Sequence, residues 1–288
     1  MSKPSVAAVR IKKFTSDASN SKHIGNNADD LLAVEEPLEI RIGFGSENNR
    51  QQKNISVTMR TPGNDFELAS GFLFTEGILK SKDDILSIKY CTDLNTFENQ
   101  ENIVRVELKP HVEFDLKFLE RNFYTSSSCG VCGKASIDAV RTVCEINADS
   151  DGLSIQSSLI IQLPELLRKQ QNVFEYTGGL HACALFDLEG KILLVREDVG
   201  RHNALDKLAG AALAAELLPL NKHILLLSGR ASFELIQKAA MCGIKMVCAV
   251  GAPSSLAVQM ANEFGITLIG FLRNGTFNIY SNAQRIIV

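Results

Sequence analysis

No stretch of the 288 residues reaches about 18 consecutive apolar positions, so no segment is expected to cross a membrane. The first 25 residues lack the apolar centre of a secretory signal, which leads us to expect a cytoplasmic protein. Neither sign of charge is in large excess: 30 Lys+Arg against 33 Asp+Glu give a formal net charge of -3. That balance excludes a strongly basic nucleic-acid binder and an acidic disordered tail. There is no internal repeat, no low-complexity tract and no GxxxxGK[ST] loop, so nucleotide hydrolysis of the Walker type is not expected. The seven cysteines are odd in number and contain only one CxxC pair, which points to free thiols in a reducing compartment. What remains is an ordinary globular composition, 45% hydrophobic and 22% charged, with length enough for one large domain or two smaller ones.

The chain divides by pattern. Residues 1–34 are rich in Ser, Asn, Asp and Lys around a short apolar patch, Val6 to Ile11, and read as a flexible arm with one strand at most. Residues 35–122 read as a small α+β domain. Leu38, Ile40 and Ile42 alternate with polar residues in strand fashion, and Ile55, Val57 and Met59 do the same. Thr61-Pro62-Gly63-Asn64 breaks the chain before a helix over Phe66 to Glu76, with Asn64 or Asp65 as its cap, Leu68, Phe72 and Leu73 on its buried side and Gly77 as its stop. Ile103 to Leu108 forms a further strand.

Residues 123–288 read as an α/β domain. Leu180 to Phe186 and Lys191 to Val195 flank a turn at Asp187-Leu188-Glu189-Gly190. His223 to Leu227, Ile244 to Val250 and Ile266 to Phe271 are short apolar runs of the kind buried on both faces of a sheet. Helical stretches, His202 to Leu218, Ser232 to Cys242 and Ser254 to Phe264, separate or precede them, which implies parallel pairing and layered helices.

The sharpest chemical feature is Ser126-Ser127-Ser128-Cys129-Gly130-Val131-Cys132-Gly133-Lys134. Two thiols at this spacing can form a mutual disulfide, share a proton or pass a sulfur atom. The following helical stretch and Lys134 favour a thiolate at either one. A reactive or redox pair is the first reading, half of a zinc site the second, because Cys91, Cys144, Cys183, Cys242 and Cys248 stand singly, and an inert loop the last. Cys183, Cys242 and Cys248 fall in apolar segments and read as small core residues.

Arg196 to Lys207 is a dense polar run between a strand and a helix, a usual place for ligand contacts and equally a solvated loop with a cap. Ser228-Gly229-Arg230-Ala231-Ser232 and Gly251-Ala252-Pro253-Ser254-Ser255 repeat the junction with small residues. Backbone amides can approach a ligand there, and helix N-termini favour negative charge. Loops after successive parallel strands meet at one sheet edge, so Gly229, Arg230, Ser254 and Arg273 are expected near one another, around a phosphate-bearing ligand.

These segments together resemble the FdhD family, the accessory sulfurtransferases of formate dehydrogenase. The resemblance rests on Glu35-Glu36-Pro37-Leu38, Arg60-Thr61-Pro62-Gly63, Gly71-Phe72-Leu73, Ser128 to Gly133, Thr177-Gly178-Gly179-Leu180-His181, Arg196 to Lys207, Ser228 to Ser232 and Gly270 to Arg273. It implies a β-grasp-type domain joined to a cytidine-deaminase-like α/β/α layered domain. It implies a sulfur carrier that accepts sulfur from a cysteine desulfurase as a persulfide on Cys129, assisted by Cys132. The sulfur then passes to the molybdenum (or tungsten) bis-guanine-dinucleotide cofactor before that cofactor enters the formate dehydrogenase catalytic subunit. Phe271, Leu272, Arg273, Asn274, Gly275 and Thr276 match the family's cofactor-binding stretch, and a homodimer is implied. The deaminase signature is lacking: His181-Ala182-Cys183 has no Glu in the H-x-E slot and no Pro precedes Cys129, so no catalytic zinc and no metal of the protein's own is expected. A non-catalytic cofactor chaperone and a thiol-disulfide oxidoreductase are the alternative functions.

Overall fold

The structure, a computed structural model, describes residues 3–16, 23–91, 101–112 and 153–288. The Cys129–Cys132 loop lies outside these residues. Where an arm with at most one strand was expected, β1 (Val6–Ser16) and β2 (His23–Ala33) pair antiparallel along their whole length. The polar composition that suggested an arm suits a ribbon whose residues are largely exposed to water. Lys3 ties the root of the ribbon to the body through Glu36 and Asn102.

β3 (Glu36–Phe44), β4 (Gln51–Arg60), β5 (Ile85–Tyr90) and β6 (Ile103–Leu108) form a sheet in the order β4-β3-β6-β5, with β3 and β6 parallel. Leu38, Ile40 and Ile42 point into the core, as their alternation predicts. The second predicted set splits. Ile40 pairs with Ser56 but Arg41 pairs with Asn54, so Ile55 is an extra residue in β4. A one-residue insertion reverses the side-chain alternation beyond it. Ile55 is buried, whereas Val57 and Met59 turn outward, 65% and 45% exposed, and Arg60 turns in and is fully buried.

Helix α1 (Asp65–Thr75) follows. Asn64 occupies the cap position in the left-handed region, φ 57°, but its side chain makes no capping bond. Asp65 does not cap either; it accepts from Arg60 Nε and Nη2 at 3.0 and 2.9 Å. Gly77, φ 77°, ends the helix as expected. Leu68 and Leu73 are buried, while Phe72 is half-buried with the Lys238 ammonium 5.3 Å from its ring centre.

A two-residue strand β7 (Ile155–Gln156) leads into α2 (Ser157–Arg168) and the short α3 (Asn172–Thr177), neither helix being anticipated. β8 (His181–Phe186) and β9 (Ile192–Asp198) form the expected hairpin, in which Asp187 accepts from the Glu189 and Lys191 amides. Then come α4 (Arg201–Ala214), β10 (Ile224–Leu227), α5 (Phe233–Met241), β11 (Met246–Ala249), α6 (Ser255–Glu263), β12 (Thr267–Arg273) and β13 (Thr276–Ser281). A short β14 (Ile286–Ile287) pairs parallel with β7. The larger sheet has the order β13-β12-β11-β10-β8-β9; β10, β11 and β12 are parallel and β8 runs against β10.

Alternate strand residues serve two cores. Ala184, Phe186, Ile224, Leu226 and Cys248 pack with Ile160, Leu163 and Leu167 of α2. Leu185, Leu225, Leu227 and Val247 pack on the other face with α4, α5 and α6. That second core is continuous with Leu38, Ile40 and Leu73, so both halves of the chain share it. The join is the crossing of α1 over α4. A Cβ on Gly71 would overlap the Asp206 carbonyl oxygen, and one on Gly210 would overlap that of Glu67. Only glycine allows the two backbones to touch.

Candidate functional site

The ends of β9, β10 and β11 and the starts of α4, α5 and α6 lie at one edge of the larger sheet, because β9 and β10 both run against β8. The start of β8, His181, lies at the same edge. Backbone bonds zip the loops together: Phe271 N donates to Gly251 O, and Gly251 N to Gly229 O, each at 3.0 Å. Ala231 and Pro253 form a parallel bridge. Ser228 fastens β8 from both sides, its amide donating to Ala182 O and its hydroxyl accepting from Ala182 N at 2.8 Å. The approach is tight: a Cβ on Gly251 would lie 3.0 Å from Arg230, and one on Gly270 2.7 Å from Pro253.

Of the residues expected to meet, Gly229, Arg230 and Ser254 stand on these joined loops; Phe271 of the expected cofactor stretch is bonded to them, and Arg273 lies two residues further on, at the end of β12. Arg230 is exposed and has no hydrogen bond or ion pair among the described residues. Ser254 is the N-cap of α6, accepting from Ala257 N at 3.1 Å. Leu272 is 1% exposed and belongs to the core under α2, which leaves its side chain no access to a ligand. Arg273, Asn274, Gly275 and Thr276 are exposed at the β12–β13 turn, where Asn274 and Gly275 both have positive φ. The Arg273 guanidinium lies 5.7 Å from the Phe271 ring centre.

The dense run from Arg196 to Lys207 is neither a solvated loop nor uniformly a contact surface. Most of it is internal bracing between the two halves of the chain. Arg196 Nη2 donates to Glu67 at 2.7 Å. Asp198, 0% exposed, accepts from Lys207 Nζ at 2.7 Å and from the amides of Thr61 and Gly200. Asn203 donates to Asp198 and to the Met59 carbonyl, and Thr58 donates to Asn203. Asp206 accepts from Thr75 Oγ1 at 2.7 Å and from Lys238 at 2.9 Å. Arg201 and His202 differ from these. Arg201 has no partner among the described residues, and its Nε is shielded from water. His202 Nε2 lies 3.3 Å from Ser232 Oγ and 3.8 Å from Glu234. Burial alone would raise the Glu234 carboxyl, but hydrogen bonds from His202, Ser232 and its own amide hold it down at about 2.

His181 is the residue to which sequence reasoning gave no role, having met it only in the Thr177-to-His181 motif and in a broken deaminase signature. Its half-buried ring lies over Gly229, where an added Cβ would be 3.1 Å from Nδ1. Burial, then the charges of Arg201, His202 and Arg230, hold the imidazole below its ordinary value, with Asp198 opposing.

Cys183, Cys242 and Cys248 are buried, as their apolar surroundings predict. Burial pushes the Cys183 thiol up, and that of Cys248 up to about 12. Maleimide treatment of the native protein is therefore expected to leave these three unlabelled until denaturant is added; peptide mass spectrometry showing any of them modified beforehand would contradict the burial. Among the described residues no three His, Cys, Asp or Glu side chains gather to hold a metal ion. No helix among them is long and apolar enough to cross a membrane.

Comparison with known proteins now decides the family. The FdhD/NarQ family matches residues 33–287. The chain belongs to the FdhD/NarQ family. It is 51% identical over 258 residues to the sulfur carrier protein FdhD of Mycolicibacterium paratuberculosis, covering 89% of this chain and 92% of that one. It is 51% identical over 259 residues to that of Streptomyces coelicolor, covering 89% of each. It is 38% identical over 278 residues to that of Saccharolobus solfataricus, covering 96% of this chain and 99% of the relative. A crystal structure from Desulfotalea psychrophila, of a protein assigned as a formate dehydrogenase accessory protein, superposes with a TM-score of 0.70. That superposition covers 97% of this chain and 99% of the other at 22% identity, and so speaks for the fold. The β1–β2 ribbon lies before the matched family segment, apart from its last residue.

Proposed function

We propose that this FdhD/NarQ member is a sulfur carrier serving formate dehydrogenase. In this reading the Cys129 thiolate attacks the outer sulfur of a cysteine desulfurase persulfide; the S–S bond breaks, the desulfurase keeps its thiolate, and Cys129 leaves with the persulfide. Cys132 assists or resolves by forming a disulfide as sulfur departs. The acceptor is the molybdenum (or tungsten) bis-guanine-dinucleotide cofactor, bound as a substrate and passed on to the formate dehydrogenase catalytic subunit. The protein carries sulfur without a metal of its own, in the cytoplasm, as a homodimer. The observation that carries the reading is 51% identity, over most of both chains, to relatives named as sulfur carriers.

The α/β edge is the proposed seat of the cofactor's phosphates. Supporting this are Arg201 and Arg230, unpaired among the described residues, beside the starts of α4, α5 and α6, with Arg273 on the neighbouring turn. The fold relationship belongs to the same reading: a β-grasp-type sheet with the α-helix α1 between β4 and β5, joined to a cytidine-deaminase-like layer. The order β9-β8-β10-β11-β12, with β8 alone reversed, supports it.

Intact mass spectrometry after incubation with a cysteine desulfurase and cysteine tests the function. One added sulfur on the Cys129–Cys132 peptide is expected, with Cys129→Ala abolishing both the gain and formate dehydrogenase maturation. A pure chaperone or oxidoreductase would gain none. Calorimetry with GDP tests the seat: Arg230→Ala or Arg273→Ala is expected to weaken binding about ten- to hundred-fold, from the roughly 1.5–3 kcal/mol of a hydrogen bond to a charged group. Cys129→Ala should bind GDP like the wild type. Wild-type affinity in both arginine variants would move the nucleotide elsewhere.

A further inference from the structure

His181 has a fixed position and, among the described residues, no side-chain bonding partner. Its backbone is locked at the sheet edge, opposite Asp198 in the β8–β9 register and fastened to Ser228 through Ala182. Yet neither ring nitrogen has a hydrogen bond among the described residues. The charges around the ring come from three elements: Asp198 at the end of β9, Arg201 and His202 at the start of α4, and Arg230 on the loop before α5. Asp198 is already engaged by Lys207, two amides and Asn203. Among the described residues the two guanidinium groups have no such counter-charge. A proton on His181 is thus opposed by positive charge and desolvation, and an entering phosphate reverses the first of these.

We propose that His181 takes up a proton from solvent when a phosphate-bearing ligand settles beside Arg201 and Arg230, and then serves that ligand as an N–H donor. The inference rests on the phosphate seat proposed above. It makes the affinity of that seat pH-dependent. Between the bound-state and free-state titrations of His181 the ligand binds more tightly as pH falls, by up to about tenfold per pH unit, and below the free-state value the gain stops. His202 does not share the role, because Ser232 and Glu234 already occupy its Nε2 side.

The test is calorimetry of GDP binding to the full chain near pH 7.5, in two buffers of different ionisation heat, for the wild type, His181→Gln and His202→Gln. The wild type and His202→Gln should take up as much as one proton more per GDP than His181→Gln, a difference in which protonation of GDP itself cancels. Proton NMR of the wild-type ring should show His181 titrating below the ordinary imidazole value in the free protein and higher with GDP. Equal uptake in His181→Gln, loss of uptake in His202→Gln instead, or an unmoved NMR titration with GDP bound would overturn the proposal and leave the phosphate seat standing. Failure of the wild type to bind either GDP or pyrophosphate would overturn the seat and the proposal together.

Discussion

Gly210→Ala is expected to destabilise the protein by about 2–4 kcal/mol and to lower its unfolding midpoint by about 5–12 °C. Two effects oppose each other. Alanine is a better helix former than glycine by about 1 kcal/mol, and position 210 is inside α4. Against that, the new methyl meets the carbonyl, carbonyl carbon and Cα of Glu67, all backbone, so no side chain can swing aside. The helices must separate, and the separation reaches Asp206, whose bond from Thr75 crosses the same interface and whose partner Lys238 also donates to Thr75. The clash wins. Gly71→Ala should behave alike, because its methyl meets the Asp206 backbone. The double variant should lose less than the sum, since one displacement relieves both contacts. Thermal and urea unfolding measure this; a Gly210→Ala protein at least as stable as the wild type would show that the helices do not touch.

Asp198→Asn is expected to cost about 3–5 kcal/mol, the range for removing one partner of a buried ion pair. Asp198 and Lys207 have side chains 0% and 2% exposed, 2.7 Å apart. An amide leaves the ammonium with neutral acceptors alone, its own oxygen at best and the carbonyls of Thr61 and Glu197. It also presents an NH₂ group where the Thr61 or Gly200 amide now donates. Lys207→Met placed in the Asp198→Asn background should recover part of the loss, because the uncompensated charge then disappears. A full double-mutant cycle by urea unfolding checks it; a single variant within about 1 kcal/mol of the wild type would contradict the pairing.

The parallel strands were legible because runs such as Ile224 to Leu227 are continuously apolar and end at small residues, which also marked the loops of the candidate edge. Helix α2 was hidden by Pro164 in its middle, although Ile160, Leu163 and Leu167 carry the helical spacing of its buried face. The outward turn of Val57 and Met59 had no local signal, since a bulge is set by how two strands pair. The run from Arg196 to Lys207 was visible as chemistry but not as bracing. Its partners Thr58, Thr61, Glu67 and Thr75 lie more than 100 positions away, and a one-dimensional pattern cannot pair them. His181 was obscure for a similar reason, being made distinctive by Gly229 and two arginines from other elements.

The glycine crossing of α1 and α4 also bears on how the chain is made. Roughly 135 residues separate Gly71 from Asp206, so the contact is of high sequence separation. At about 5–20 residues per second, α1 would emerge from a ribosome some 7–27 s before the helix that covers it. Through that interval the four-stranded sheet has strands and a helix but not its lid. Leu68, Ala69 and Leu73, which share the core with Leu205, Leu208 and Ala209, must wait in water or in the care of a chaperone. A nascent chain halted before residue 201 is therefore expected to be protease-sensitive across α1, and one released after residue 214 protected there.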